Sequence, residues 1–119
     1  MDTRRTTTLT LTAHATFAST EQLARFFPAV EPVRVPVVVT PLRNVPASLR
    51  ESVLVEFASP EKAIFSSLLP LEFGDRVHVK HADGHDERIA TVIAVQYHEG
   101  RKAVAVEFAD GKCSWVKRP

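Results

Sequence analysis

The sequence predicts a mainly β protein, a small antiparallel barrel of six to seven short strands with one short helix. Apolar and polar residues alternate with a period of two over several stretches, and this alternation is typical of half-buried strands. Two polar turns with glycine, at 82–85 and 98–101, join neighbouring stretches, and the Asp83-Gly84 pair suits the primed turns of β-hairpins. Short strands in this number favour a closed or nearly closed barrel, because closure removes the exposed edges of a sheet.

The N-terminal region predicts one strand and one helix ahead of the barrel. Between residues 8 and 17, apolar residues alternate with threonine and histidine, which predicts a half-buried strand. Ser19 and Gln22 form a capping-box pair that starts a helix of two turns at most, and Pro28 ends it. We expect this helix to cover one open end of the barrel, anchored by the phenylalanine pair at 26–27.

Valine-rich strands open the predicted barrel. The first covers 33–40, and Pro36 within it lacks the N–H that a strand ladder needs, so this strand should lie at an edge or carry a bulge. A loop at 41–51 leads to the strand 53–57, whose odd-numbered residues are expected to share one face. Extended structure resumes at 63–66.

The last three strands are predicted as a meander at 77–80, 89–97 and 103–108. The second and third are apolar on both faces, so we expect the barrel interior on one side and a helix or a partner on the other. The connection 68–73 ahead of this meander carries three leucines and a phenylalanine around Pro70. It either packs over the barrel end or offers an apolar docking surface.

Length and composition bound the class of protein. The 119 residues make one domain with a core that needs no disulfide or metal, and we place an N-terminal extension at 1–30 and the barrel at 31–119. The net charge of +1 counts against binding nucleic acid through a broad basic surface. The single cysteine, Cys113, has no internal disulfide partner, which favours the cytoplasm. No signal peptide is readable, and no stretch reaches the roughly 18–20 apolar residues of a membrane helix, so no membrane insertion is expected.

Several short motifs follow one another in order between residues 34 and 115. They are Arg34-Val35-Pro36-Val37, the strand 53–57 followed by Ser59, Leu69-Pro70-Leu71, Gly74-Asp75 ahead of Val77, Ala90 with Val92, the run 104–108, and Trp115. In this order and spacing they resemble the PilZ domain, a small bacterial β-barrel module whose best-known members bind cyclic di-GMP. The resemblance implies a PilZ-like split barrel that serves as a non-enzymatic signalling or adaptor module and acts through a protein partner.

The ligand motifs of the PilZ family are only partly present. Arg34 stands at the second arginine of the R-x-x-x-R pattern, but Val30 stands at the first. Ser59 keeps its place in the D/N-x-S-x-x-G pattern, whereas Phe57 and Lys62 replace its first and last residues. The resemblance therefore implies weak or absent binding of cyclic di-GMP by the standard mode, and no cofactor. Surrogate guanidinium groups could come from Arg4, Arg5 and Arg25.

An alternative from another class is a small SH3- or KOW-like barrel that binds nucleic acid. Cations beside an aromatic ring can contact phosphates while the ring stacks on a base. The residues that would form this surface are Arg101, Lys102, Lys112, Lys117 and Trp115.

A third interpretation is a metal-dependent hydrolase fragment built on a histidine-rich hairpin. Two imidazoles and a carboxylate could approach one another across a tight turn, but a polar turn is explained more simply by solvation and turn chemistry. The residues concerned are His78, His81, Asp83, His85 and Asp86. No glycine-framed nucleophile or phosphate-cradling loop is present in the sequence, so we expect neither enzyme activity nor a metal site.

Overall fold

The computed structural model describes residues 20–42 and 49–109, and the predicted strand at 8–17, Ser19 and Cys113 lie outside this part of the chain. The described residues form a closed barrel of six antiparallel strands and one short helix, α1, at residues 20–24. The predicted mainly β class, with a small antiparallel barrel and one short helix, is confirmed. The strands are β1 (Glu31–Pro41), β2 (Glu51–Ala58), β3 (Lys62–Ser67), β4 (Arg76–His81), β5 (Glu87–His98) and β6 (Arg101–Phe108).

Two three-stranded meanders build the barrel. β1, β2 and β3 are neighbours in chain order, and so are β4, β5 and β6, which confirms the predicted C-terminal meander. The meanders join along two seams, where β1 pairs with β4 and β3 pairs with β6. Because every pair is antiparallel, the ends of β1, β3 and β5 lie beside the starts of β2, β4 and β6. We call this the crossover end, since the connection from β3 to β4 crosses it.

The two predicted glycine turns join the strands of the second meander, but the primed turn expected of Asp83-Gly84 is wrong, because Gly84 has a positive φ and Asp83 does not. Gly84, between β4 and β5, has a φ of 84°, and Gly100, between β5 and β6, has a φ of 83°. Glycine adopts this left-handed conformation without steric cost. Glu99 precedes Gly100 and also has a positive φ, of 49°, so two consecutive left-handed residues form this hairpin turn, as in a type I′ turn.

The barrel interior is filled mainly by valine. Strand geometry directs alternate side chains to one face, and β1 alone supplies Val35, Val37 and Val39. Branched side chains of this kind favour extended backbone and pack well on a pleated surface. The strands contribute a further set of buried residues, namely Val55, Ala58, Ala63, Phe65, Val77, Val79, Ala90, Val92, Val104, Val106 and Phe108.

Helix α1 packs against the outside wall of the barrel, not over its end. Leu23 is buried with Ile64 and Ala105, whose chain neighbours face the interior. Phe27 packs partly against the same cluster, but Phe26 is 74% exposed. The prediction that the helix covers an open end, anchored by both phenylalanines, is therefore wrong, because the outer faces of β3 and β6 are apolar enough to bind it. The expectation that the last strands pack on both faces is confirmed.

Bulges in β2 and β5 change which side chains face inward. The pairing of β2 with β3 shifts between Val55 and Phe57, so Val55 lies in the interior and Phe57 lies in the outer cluster with α1. The expectation that the odd-numbered residues of 53–57 share one face is wrong, because an extra residue in one strand reverses the alternation. The pairing of β5 with β6 shifts in the same way between Val92 and Ala94.

Pro36 lies in a strand that has partners on both sides. Its carbonyl accepts a hydrogen bond from the N–H of Ala82 at 2.9 Å, so its nitrogen also faces β4. The ladder between β1 and β4 begins at Val37, and the missing donor therefore falls just beyond the end of that ladder. The prediction of an edge strand or a bulge at Pro36 is therefore wrong, since β1 is paired on both sides and its register shift lies between Pro32 and Val35 on the β2 side.

The connection from β3 to β4 closes the crossover end. The carboxylate of Glu51 accepts the backbone N–H of Leu68 at 3.1 Å, which fixes the start of the connection beside β2. Leu69 and Leu71 then pack into the barrel interior. Leu68 and Phe73 remain 62% and 77% exposed. Both sequence alternatives apply to this connection, since it packs over the barrel end and presents apolar side chains to solvent.

Two leucines of this connection make a matched test of the packing. Leu71→Ala should lower the free energy of unfolding by ~2–5 kcal/mol, because it opens a cavity in the core, whereas Leu68→Ala should change it by less than about 0.5 kcal/mol. Chemical denaturation followed by circular dichroism measures both values. Equal losses in the two variants would show that the connection does not seal the barrel as described.

Candidate functional site

The site that the PilZ resemblance implies lies where the chain enters β1, beside the β2–β3 turn. Backbone hydrogen bonds from Phe27 to Ala24 and from Val30 to Phe27, both of 3.0 Å, fold the segment 25–30 into tight turns. Phe27 projects between two shallow pockets of about 270 and 330 Å³. The smaller pocket is lined by Phe26, Phe27, Pro28, Ala29, Val30 and Lys62, and the larger by Glu21, Ala24, Arg25, Phe27, Pro28, Val30 and Phe57.

The hydroxyl group of Ser59 is used inside its own turn. Ser59 is buried, and its Oγ accepts the backbone N–H groups of Glu61 at 3.2 Å and Lys62 at 3.1 Å. Its own N–H donates to the carbonyl of Lys62 at 2.9 Å. A serine that satisfies backbone donors two and three residues further on stabilises a turn, and this accounts for Ser59 without a ligand.

The structure does not bring Arg34 and Ser59 together. Arg34 is exposed on β1, on the outer face of the barrel, since its chain neighbours pack against the interior. Glu31 pairs with Ala58, so Arg34 lies three residues away along the strand, roughly 10 Å from that level. Neither residue lines the two pockets beside Phe27.

The remaining positions of the implied ligand site are also changed. Lys62 lies 3.7 Å from the carboxylate of Glu107 and lines the smaller pocket, while the Phe57 ring lines the larger one. Arg25 is exposed at the larger pocket. Arg4 and Arg5 lie outside the described residues. The smaller pocket is therefore mainly apolar with Lys62 as its one charged lining residue, whereas the larger pocket carries both Glu21 and Arg25.

Two cations of the alternative nucleic-acid surface make contacts within the barrel. Arg101 donates from Nε to Ser66 Oγ at 3.1 Å. Lys102 donates from Nζ to the carbonyl of Leu71 at 3.2 Å and lies 5.3 Å from the centroid of the exposed Tyr97 ring. Both side chains thus help to hold the crossover end together. Lys112, Lys117 and Trp115 lie outside the described residues.

The histidine-rich hairpin is held by local polar contacts. Nδ1 of His81 lies 3.1 Å from both the N–H and a carboxylate oxygen of Asp83. The same carboxylate accepts the N–H of His85 at 2.8 Å, which lowers the pKa of Asp83 below its ordinary value, with a further contribution from the nearby histidines. His78 contacts Glu87 instead, at 3.0 Å. Within the ranges 20–42 and 49–109, no three or more histidine, cysteine or acidic side chains are grouped as a metal ion would need.

A surface that the sequence indicated only in part lies around the crossover end. Four of the five large apolar side chains that are exposed in the described part of the chain belong to this end, namely Leu42, Leu68, Phe73 and Tyr97. We call these four residues the apolar rim. Leu42 is tied to the start of β4 by its N–H, which donates to the carbonyl of Arg76 at 3.0 Å. Only Leu68 and Phe73 are close in the sequence, so the pattern of the 68–73 connection predicted half of the rim.

Comparisons with protein families, with curated proteins and with solved structures find no match for this chain. In the part of the chain that the structure describes, the helical segment falls far short of the length needed to cross a bilayer.

If Ser59 stabilises the turn, removing its hydroxyl group should lower the stability of the folded protein. Ser59→Ala leaves two backbone N–H groups without their acceptor, and we expect the free energy of unfolding to fall by ~1–2 kcal/mol. Ser52→Ala, on the exposed surface of β2, is the matched control and should change it by less than about 0.5 kcal/mol. Urea denaturation measures the free energy of unfolding of both variants. An unchanged stability of the Ser59 variant would show that the hydroxyl does not stabilise the turn and would leave it as a candidate ligand group.

Proposed function

We propose that this protein is a non-enzymatic, PilZ-like barrel module of the bacterial cytoplasm that acts by binding a protein partner. The observation that carries the proposal is the apolar rim at the crossover end. Four large apolar side chains that are exposed at one end of a small domain favour an interaction surface there. The six-stranded closed barrel and its short helix agree with the class of fold that the PilZ resemblance implies.

The rim has the composition of a protein-binding surface. Aromatic residues such as Phe73 and Tyr97 are enriched at the centres of interfaces. Burial of each fully exposed leucine or phenylalanine side chain contributes ~1.5–3 kcal/mol, so three or four of them can anchor a partner. Glu72 and Arg76 are exposed next to this cluster and supply the polar margin that such interfaces have.

The barrel beneath the rim supports a rigid binding surface. Leu69 and Leu71 fix the connection to the core, and Lys102 bonds to the carbonyl of Leu71 from the β5–β6 hairpin. A partner would therefore meet side chains whose backbone is already held in place, and this reduces the entropy lost on binding.

Cyclic di-GMP binding by the standard PilZ mode is proposed to be weak or absent. The phosphates of such a ligand call for paired arginines, whose planar groups bind oxygen pairs in a way that lysine does not. Arg34 and Arg25 are exposed but have no second arginine at the spacing of the motif, and Ser59 bonds within its own turn.

The nucleic-acid alternative has one observation in its favour. The Tyr97 ring is exposed beside Lys102, and an aromatic ring next to a cation can stack on a base. Arg101 and Lys102 each use one N–H donor in an internal hydrogen bond, so fewer of their donors are free to contact phosphates, and we rank this surface second.

Calorimetry separates the ligand classes. We expect the purified protein to give no saturable heat with cyclic di-GMP, and with short single-stranded DNA only a weak signal that disappears when salt is raised, because phosphate contacts are screened. Submicromolar binding of cyclic di-GMP that Arg34→Gln abolishes would contradict the proposal. Salt-resistant DNA binding that depends on Tyr97 would favour the alternative.

The rim makes a second prediction, on protein binding. Immobilised wild-type protein should retain a specific protein from a bacterial lysate, and Phe73→Ser should lose it, since the substitution removes an aromatic anchor. Phe26→Ser is the matched control, because Phe26 is similarly exposed, at 74%, but lies beside α1 and away from the rim. Equal retention by the two variants, or capture that neither change affects, would count against the rim as the binding surface.

A further inference from the structure

A second concave surface lies on the outer wall of the barrel, where β1 runs between β2 and β4. It is an open groove of about 460 Å³. Its lining combines three basic side chains, one hydroxyl group and two small apolar side chains. These residues are Arg50, Ser52, Val38, Lys80, His81 and Ala82, and we call them together the cationic groove.

Strand register accounts for the groove. Val38 pairs with Ser52 on β2 and with Lys80 on β4, so the three residues form one row across the sheet. Their neighbours Val37 and Val39 face the barrel interior, and the row therefore faces outward. With strands about 4.8 Å apart, Ser52 and Lys80 stand roughly 10 Å from each other on either side of Val38. Arg50 adds a cation at the β2 side of this row.

The carboxylates near the groove lie outside its lining, which itself contains none. One of them, the carboxylate of Asp83, lies 3.1 Å from Nδ1 of His81, so the positive charge of the groove rests on Arg50 and Lys80. The nearest acidic partner of Lys80 is Glu87, at 3.9 Å, and the other oxygen of that carboxylate contacts His78 at 3.0 Å. Both side chains of the Lys80 pair are about half exposed, and ion pairs of this kind contribute little. Among the described residues, no acidic side chain pairs with Arg50.

We infer that the cationic groove binds a small phosphomonoester of the nucleoside monophosphate class. A phosphate dianion accepts several charge-assisted hydrogen bonds, and the planar donors of Arg50, the ammonium group of Lys80 and the hydroxyl of Ser52 supply them from two sides. The groove is larger than a bare phosphate needs, and Val38 and Ala82 give an apolar floor for the remainder of the ligand.

This site is separate from the surfaces described above. It shares no residue with the apolar rim, and none of its residues belongs to the ligand motifs of the PilZ resemblance. It groups residues of three strand-associated segments that lie between Val38 and Ala82, 44 positions apart in the chain. A binding result here leaves the adaptor proposal untouched, because the rim variants and the groove variants are different.

Nuclear magnetic resonance titration of the backbone amides tests the inference. Adenosine monophosphate should shift the amides of Val38, Ser52, Lys80 and His81 in a saturable way, and inorganic phosphate should shift the same amides more weakly. Adenosine, which lacks the phosphate, should leave them unchanged. Equal affinity for phosphate and the nucleotide would identify the site as a binder of the free anion and would overturn the nucleotide class.

Three variants that each remove one positive charge test whether the groove itself binds the nucleotide. Arg50→Gln and Lys80→Gln should each weaken nucleotide binding by ~3- to 10-fold, as expected for loss of one charged hydrogen-bond donor at a part-exposed site. Arg76→Gln removes the same charge from an exposed position outside the lining and should leave the affinity unchanged. The amide spectra also show whether each variant is folded. No saturable shift in the wild type, or equal weakening in all three variants, would overturn the inference.

Discussion

The pairing of β1 with β4 and of β3 with β6 is the constraint on which the rest of this structure depends. Each three-stranded meander taken alone would expose two strand edges, with their unpaired N–H and C=O groups. The two seams pair these edges with each other and leave a cylinder whose interior is filled by valine. Because closure satisfies the backbone of the walls, the surfaces that remain for binding are the two ends and the outward side chains.

Closure also explains why one wall carries an additional layer. The bulges in β2 and β5 break the strict inward and outward alternation, and the β2 bulge places Phe57 outside next to the fully buried Ile64. An apolar outer face of this kind is stable only when something covers it. Leu23 of α1 and the half-buried Phe27 provide the cover. Thr20 also donates its hydroxyl to Glu56, the residue within the β2 bulge, so the helix is tied to the irregularity that it covers.

Much of the fold could be predicted from the sequence, because strand alternation and turn chemistry are local. The C-terminal meander and both glycine turns follow from residues adjacent in the chain. The bulges could not be located, since a bulge is defined by the pairing partner and not by one strand alone. The packing surface of the helix does not follow from the sequence for a related reason: an apolar stripe such as Leu23 and Phe27 indicates burial but does not identify the surface it packs on.

The candidate sites also differ in whether local sequence or strand pairing defines them. Ser59 matched a ligand motif in sequence, yet a serine ahead of two backbone donors is also turn chemistry, and here the local hydrogen bonds account for it. In contrast, the row of Ser52, Val38 and Lys80 has no local signature, because its members meet only through strand register. Motifs therefore identify sites that lie within one loop, whereas sites on the wall of a barrel are assembled by pairing. In a small closed barrel, every wall position has two cross-strand neighbours. The second kind of site therefore arises where three outward side chains of compatible chemistry share a row, and it is defined by strand register and not by order in the chain.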